Sequence, residues 1–170
     1  MNFSSLTAIS PVDGRYASKT QELQLYFSEF GLIRYRVLVE VEYLIALVDS
    51  GVEPLKSFPK EKFEALRNMY RSFSEEDALW IKNTERTTNH DVKAVEYFLK
   101  DKLEKEGLAE YLEFVHFGLT SQDINNTAIP LSVKEAFEKV YLPSLISVIA
   151  KLKELSVEWK DVPMLARTHG

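Results

Sequence analysis

The stretch of the sequence richest in chemically useful side chains is His116–Thr127, which reads HFGLTSQDINNT. Two shorter polar clusters lie elsewhere, TTNHD at Thr87–Asp91 and RTHG at Arg167–Gly170. The chain has 3 histidines, and each lies in one of these clusters. An imidazole donates or accepts a proton near neutral pH, and Arg, Asn, Ser and Thr bind anionic groups. The three clusters are therefore compatible with one shared site for an anionic substrate.

The same residue types also gather at helix starts for structural reasons. Thr120 is predicted to be an N-cap with Asp123 as its capping-box partner, and Ser74 and Asp77 form a second such pair. Short polar side chains favour these positions because they bond to free backbone N–H groups. The same N–H groups and the helix dipole also attract phosphate or carboxylate. On the residues alone, capping and ligand binding both stay open for each cluster.

Composition points to an all-α protein. The 170-residue chain is 45% hydrophobic, enough to bury a core, and its 6 Gly and 6 Pro argue against a many-turned β architecture. A net charge of −5 offers no basic surface for nucleic acid, and the absence of Cys excludes disulfides and thiolate metal sites. Without a membrane-spanning run or a signal peptide, we expect a soluble, cytoplasmic protein that does not bind membranes.

Apolar residues recur at helical spacing along most of the chain. The clearest stripes run from Ile33 to Val48, from Val92 to Leu103 and from Tyr141 to Trp159. Pro130 is expected to interrupt the helix that Thr120 opens, and Pro143 to kink or divide the next. The last stripe must be buried against another surface or else expose an apolar patch.

Charged residues at four-residue spacing are expected to pair on the wet sides of these helices. Arg36 and Glu40 form one such pair and Glu96 and Lys100 another. His90 falls at or next to a helix start, where a proton-transfer group or an anion ligand would be well held.

The N-terminal segment ends in a turn, Pro11–Gly14, that would hold Arg15 and Tyr16 at the surface. We favour an ordinary N-terminal arm here. The alternative is a grip on a carboxylate or phosphate, since a guanidinium binds such groups through two hydrogen bonds.

Common catalytic motifs find no support in the sequence. The histidines lack the compact spacing of a metal site, and there is no P-loop, nucleophile elbow or glycine-rich dinucleotide turn. What remains is an imidazole acid or base beside anion-binding groups.

Four stretches carry a family resemblance, and they span nearly the whole chain: SPVDGRY at Ser10–Tyr16, ERTTNHDVKAVEYFLK at Glu85–Lys100, HFGLTSQDINN at His116–Asn126 and RTHG at Arg167–Gly170. In these stretches the chain resembles the N-terminal part of the bacterial adenylosuccinate lyases, a family of the fumarase/aspartase superfamily. The resemblance implies an all-α fold. It divides the chain into an N-terminal helical domain at 1–108 and the first long helices of the superfamily's central helical bundle at 109–170.

The resemblance also implies a reaction. Enzymes of this family remove fumarate from adenylosuccinate, giving AMP, and from the succinylated aminoimidazole carboxamide ribotide in purine biosynthesis. A base takes a proton from the succinyl group and an acid protonates the departing nitrogen, with no metal or organic cofactor. The partner implied is a nucleotide substrate, and the full-length proteins are homotetramers.

Carried over by matching motif, the resemblance implies eight substrate-binding residues, namely Arg15, Tyr16, Asn89, His90, Asp91, Thr120, Ser121 and Thr168. The first two would hold the nucleotide near its phosphate, and the hydroxyls at 120 and 121 a succinyl carboxylate. His169 matches the general acid, and His90 is the second histidine with a catalytic role. His116 is expected near the site.

One family feature has no match in this sequence. The family's catalytic base is a serine on a Gly-Ser-rich loop far downstream of Thr-His-Gly, so we expect a truncated chain of 170 residues to be inactive alone. The alternative function is a non-catalytic association module that uses the stripe at Tyr141–Trp159. A third is a lyase of the same superfamily with another substrate.

Overall fold

The computed structural model describes residues 4–165 and contains only helices and turns within that range. The α-helices of this part are α1 Gln24–Phe27, α2 Glu29–Asp49, α3 Phe63–Arg71, α4 Glu75–Thr88, α5 Asp91–Lys105, α6 Ser121–Ala136 and α7 Leu142–Glu158. Short 3-10 helices lie at Ala17–Lys19, Gln21–Leu23, Glu53–Leu55, Lys60–Lys62 and Ala109–Phe114, and a π-helix at Phe137–Tyr141. The predicted all-α fold is confirmed. No helix between residues 4 and 165 has the length and hydropathy to cross a membrane.

Helix α2 lies at the centre of the fold and packs against α1, α3, α4, α5 and α6. The predicted apolar stripe is confirmed, since its members are buried: Ile33, Val37, Val41, Leu44, Ile45 and Val48. Helix α5 completes the core with Val95, Phe98 and Leu99, and the Phe98 ring meets those of Phe73 and Trp80 at steep angles. Because several helices cover α2, few of its side chains are exposed to solvent.

Two ion pairs were predicted on solvent-exposed sides of helices, and both predictions are wrong. Arg36 and Glu40 are 5% and 2% exposed, and each is bound by a residue of another part of the chain rather than by its neighbour. Glu96 is also buried and pairs with Lys93 at 2.6 Å, while Lys100 lies 3.6 Å from Glu113. The prediction failed because it assumed one buried face per helix.

The starts of α4 and α6 are capped as predicted. Ser74 Oγ accepts a hydrogen bond from the Asp77 N–H at 3.2 Å, and the Asp77 carboxylate accepts one from the Ser74 N–H at 3.1 Å. At α6 the Asp123 carboxylate accepts the Thr120 N–H at 2.7 Å. Both caps join residues three positions apart and need no distant partner.

Helix α6 continues through Pro130 without a break, so the predicted interruption there is wrong. The helical path changes instead at the π-helix Phe137–Tyr141, immediately before Pro143 near the start of α7. A proline ring collides with the carbonyl four residues earlier, here that of Lys139, and the wider π turn gives it room. The predicted effect of Pro143 therefore takes the form of this π-helix.

Helix α7 has no buried residue within the described structure. Its apolar side chains are exposed along its length, among them Leu145, Ile149 and Leu152. The division of the chain after residue 108 stays a prediction.

Candidate functional site

His90 and Ser121 meet where two helices begin. His90 is the N-cap of α5, with an extended backbone, and Ser121 is the first residue of α6. The His90 Nε2 and Ser121 Oγ atoms lie 3.3 Å apart. The His90 side chain is half exposed, so a ligand can reach this pair from solvent. The structure thus brings together two residues that lie 31 positions apart in the sequence.

Capping determines which nitrogen of His90 carries the proton in the neutral ring. Its Nδ1 accepts the backbone N–H of Lys93 at 3.2 Å and so has no hydrogen. The proton of a neutral imidazole then sits on Nε2, which donates towards Ser121 Oγ. The tautomer is assigned from this hydrogen-bond pattern. In this arrangement the Nε2–H of His90 is directed at the Ser121 hydroxyl, whose own hydrogen remains for a ligand.

Asp91 follows His90 and is bound from α2. Arg36 Nη2 donates to Asp91 Oδ2 at 2.7 Å, and the Val92 N–H donates to Asp91 Oδ1 at 2.9 Å. Partial burial would raise the pKa of Asp91, but the Val92 N–H and the Arg36 charge outweigh it and lower the pKa. The same guanidinium donates through Nε to Asn125 Oδ1 at 2.9 Å.

His116 is bound to α2 through Glu40. Its Nδ1 is hydrogen-bonded to Glu40 Oε1 at 2.5 Å, and its Nε2 lies 4.0 Å from Glu96 Oε1. Its side chain is 13% exposed and its backbone has φ 61, a left-handed value that few residues other than Gly adopt. The contact therefore holds the turn that leads from Val115 to Thr120.

The Thr120 hydroxyl is bound within its own helix start. The hydroxyl donates to Asp123 Oδ2 at 2.9 Å, so binding a ligand through it would require leaving that carboxylate. Asn89 ends α4 in the left-handed conformation, with φ 51, and is exposed next to His90.

Arg15 and Tyr16 lie in the N-terminal turns, where the Arg15 guanidinium lies 5.3 Å from the centre of the Tyr16 ring. Within residues 4–165 no hydrogen bond or ion pair joins either residue to His90 or Ser121. The remaining predicted residues, Thr168 and His169, lie outside the described residues. Among the residues that are described, no three His, Asp or Glu side chains are grouped as a metal ion would require.

The sequence analysis did not identify four polar residues that support the site: Arg36, Glu40, Glu96 and Asn125. Two of them carried a usable signal, because Arg36 and Glu40 interrupt an otherwise apolar run, RVLVEV. Charged residues in such a run are buried only when paired, which points to partners elsewhere in the chain. Nothing comparable distinguishes Asn125 from its polar neighbours.

Comparison with known proteins places the chain among lyases. It is 54% identical to the adenylosuccinate lyase of Dictyostelium discoideum over 175 residues. It is 49% identical to the adenylosuccinate lyases of Vibrio cholerae and of Escherichia coli K12, over 172 residues in each case. Each alignment covers 100% of this chain but 38% of the relative's length. A family model described as "Lyase" matches residues 14–170, and the chain belongs to this lyase family.

Proposed function

We propose that this protein acts in the cleavage of adenylosuccinate to AMP and fumarate, and in the matching cleavage of the succinylated aminoimidazole carboxamide ribotide. The pairing of His90 with Ser121 at the starts of α5 and α6 carries the proposal. The names of the relatives support this substrate over another succinylated one. The association-module alternative has no comparable support.

The reaction proposed is a β-elimination. A base removes a proton from the succinyl carbon beside the carboxylate, and the electron pair left there forms the double bond of fumarate. The carbon–nitrogen bond breaks, its electron pair stays on nitrogen, and an acid protonates that nitrogen. The sequence match implies His169 as this acid and a downstream serine as the base.

The residues from 4 to 165 would supply substrate binding rather than the base. The starts of α5 and α6 meet at the pair His90 and Ser121, and the positive dipole ends of the two helices favour a carboxylate or phosphate there. The Ser121 hydroxyl accepts the Nε2–H of His90, and its own hydrogen is a donor suited to a succinyl carboxylate. Fixed donors of this kind stabilise the charge that develops during the elimination.

The other implied features stay predictions. Arg15 and Tyr16 would hold the nucleotide, with Thr168 beside His169. The protein would act as a homotetramer in the cytoplasm, with no metal or organic cofactor. A polypeptide ending at Gly170 would be inactive alone, which a sensitive assay for fumarate release by the 170-residue chain would check.

The test is fumarate release from adenylosuccinate by the complete gene product. We expect the unaltered protein to release fumarate from adenylosuccinate. His90→Gln and Ser121→Ala should each lower kcat/KM, and His90→Gln should lower it by about a hundredfold or more. Lys105→Ala, which removes an exposed ion pair with Asp101, is the control and should leave turnover unchanged. A gene product that binds no adenylosuccinate and releases no fumarate would refute the proposal.

A further inference from the structure

We propose that Arg36 is a positioning residue that sets the distance between His90 and Ser121 by joining the starts of α5 and α6 to α2. The inference rests on the proposed function for its kinetic consequence. It concerns a residue that would not touch the substrate, since its side chain is only 6% exposed.

The contacts of Arg36 reach both helices within one turn of the reactive groups. Its Nη2 donates to Asp91, the residue next to His90, at 2.7 Å. Its Nε donates to Asn125 at 2.9 Å, one helical turn beyond Ser121. One side chain therefore fixes the starts of both α5 and α6.

Arginine suits this position because of its shape. Nε and Nη2 lie along one edge of a planar group, so their two hydrogens leave in a fixed relative direction. Each of the two hydrogens of Arg36 meets an acceptor from a different helix, which fixes the separation of Asp91 and Asn125. The flexible ammonium of a lysine would not impose that geometry.

Arg36 provides a link between the starts of α5 and α6 that direct packing of the two helices gives only in small part. Helices α5 and α6 touch each other little, α6 packs extensively on α2, and α5 packs mainly on α4 with a smaller contact to α2. Among the described residues, Arg36 is the α2 side chain hydrogen-bonded to both helices, so it ties the placement of His90 directly to that of Ser121. Both oxygens of Asp91 accept a hydrogen bond, one from Arg36 and one from the Val92 N–H, which joins the start of α5 to this link.

The kinetic test compares Arg36→Met with Lys102→Met in the complete gene product. Lys102 joins α5 to Asp77 of α4 at 2.9 Å, so its loss removes an ion pair of similar kind far from the helix start. Because a misplacement of about 1 Å can cost about a hundredfold in rate, we expect Arg36→Met to lower kcat by more than about tenfold. Lys102→Met should change kcat by less than about twofold.

A double-variant cycle separates positioning from a general loss of structure. If Arg36 acts through the contact between His90 and Ser121, adding Arg36→Met to Ser121→Ala should cost much less than Arg36→Met alone. A residue that only supports the fold would multiply the two losses. Independent effects, or a kcat for Arg36→Met within about twofold of the unaltered protein, would overturn the proposal.

An NMR measurement on the 170-residue chain makes the test independent of turnover. We expect the imidazole signals of His90 in Arg36→Met to move to their positions in Ser121→Ala, and those in Lys102→Met to stay in place. Unmoved signals in Arg36→Met would overturn the proposal. If the unaltered protein shows no turnover but Arg36→Met shows these shifts, the proposed function is refuted and the positioning role stands.

A second variant guards against a failure of Arg36→Met to fold. Asn125→Leu removes one acceptor and keeps the ion pair between Arg36 and Asp91. The same signals of His90 should move in the same direction by a smaller amount. Signals that stay at the wild-type positions would count against the proposal.

Discussion

His116 Nδ1 and Glu40 Oε1 form a 2.5 Å hydrogen bond that ties the turn before α6 to the middle of α2. The Glu40 side chain is fully buried, and its Oε2 has no hydrogen-bond partner within residues 4–165. An unpaired buried oxygen is costly, as is the left-handed backbone of His116. The contact therefore holds a strained turn in place at the expense of stability.

We expect Glu40→Gln to weaken the dependence of stability on pH. Burial raises the pKa of Glu40, and His116 opposes that shift. A carboxyl group whose pKa is raised by folding favours the fold below its unfolded-state pKa, and this stability is lost as pH rises through the folded pKa. The glutamine amide stays neutral throughout. The free energy of unfolding, measured in urea between about pH 5 and about pH 8, should fall less with pH in the variant.

Glu42→Gln is the matched control on the same helix. Hydrogen bonds from Arg67 lower the pKa of Glu42 despite its partial burial, so its stabilising effect is present above its unfolded-state pKa. This variant should lose stability at neutral pH. The groups that face Glu40 are His116 and Glu96, and Glu96 pairs with Lys93. An unchanged pH dependence in Glu40→Gln would contradict the expected cost of burying that carboxylate.

Tyr35→Phe should lower the free energy of unfolding by about 1 kcal/mol. Tyr35 is fully buried, and its hydroxyl donates to Glu135 Oε2 at 3.1 Å, which links α2 to α6. Burial, with the Glu135 charge, raises the pKa of Tyr35 to about 12, so the hydroxyl stays protonated at neutral pH. Chemical denaturation would measure the loss. Tyr97→Phe is the control, because the exposed Tyr97 hydroxyl makes no hydrogen bond in the described part of the chain.

Removal of one cap should destabilise α4. Ser74→Ala deletes the hydroxyl that accepts the Asp77 N–H, and such a loss costs about 1 kcal/mol. Ser144→Ala is a serine control in α7 and should change stability by less than about 0.5 kcal/mol. Within residues 4–165 its hydroxyl bonds only to the Val140 carbonyl of the preceding turn. Equal effects in thermal unfolding would show that the cap of α4 contributes nothing.

The features predictable from the sequence are those set by near neighbours. The caps at Ser74 and Thr120 depend on residues three positions away, and the stripe on α2 depends on residues three or four apart. Arg36 lies 55 and 89 positions from its partners Asp91 and Asn125, and Glu40 lies 76 positions from His116. Because these separations are so large, the partners were not predictable from the sequence. Only the tertiary packing of α5 and α6 on α2 brings them together.

The candidate site divides in the same way. The polar clusters containing His90 and Ser121 were identified from residue types, but nothing local shows that the two side chains meet. Pro130 illustrates the opposite error, since a local rule predicted a break and α6 continues through it. A proline removes one backbone hydrogen bond from a helix, and the packing of α6 on α2 can offset that loss.

Asn89 allows the structural and binding roles of one residue to be separated. It closes α4 with φ 51, a conformation that Gly adopts freely, Asn tolerates and Ala resists. Asn89→Gly should therefore keep the free energy of unfolding within about 0.5 kcal/mol of the unaltered protein, whereas Asn89→Ala should lose about 1 kcal/mol. Chemical denaturation of both variants measures this difference.

If the Asn89 carboxamide also binds substrate, both variants should lose activity to the same degree although only one is destabilised. The measurement is kcat/KM for adenylosuccinate in the complete gene product, at a temperature where both variants are folded. Loss of one substrate hydrogen bond should lower kcat/KM by about tenfold in each. Full activity in Asn89→Gly would assign Asn89 to the turn between α4 and α5 alone, since the glycine keeps the backbone and removes only the carboxamide.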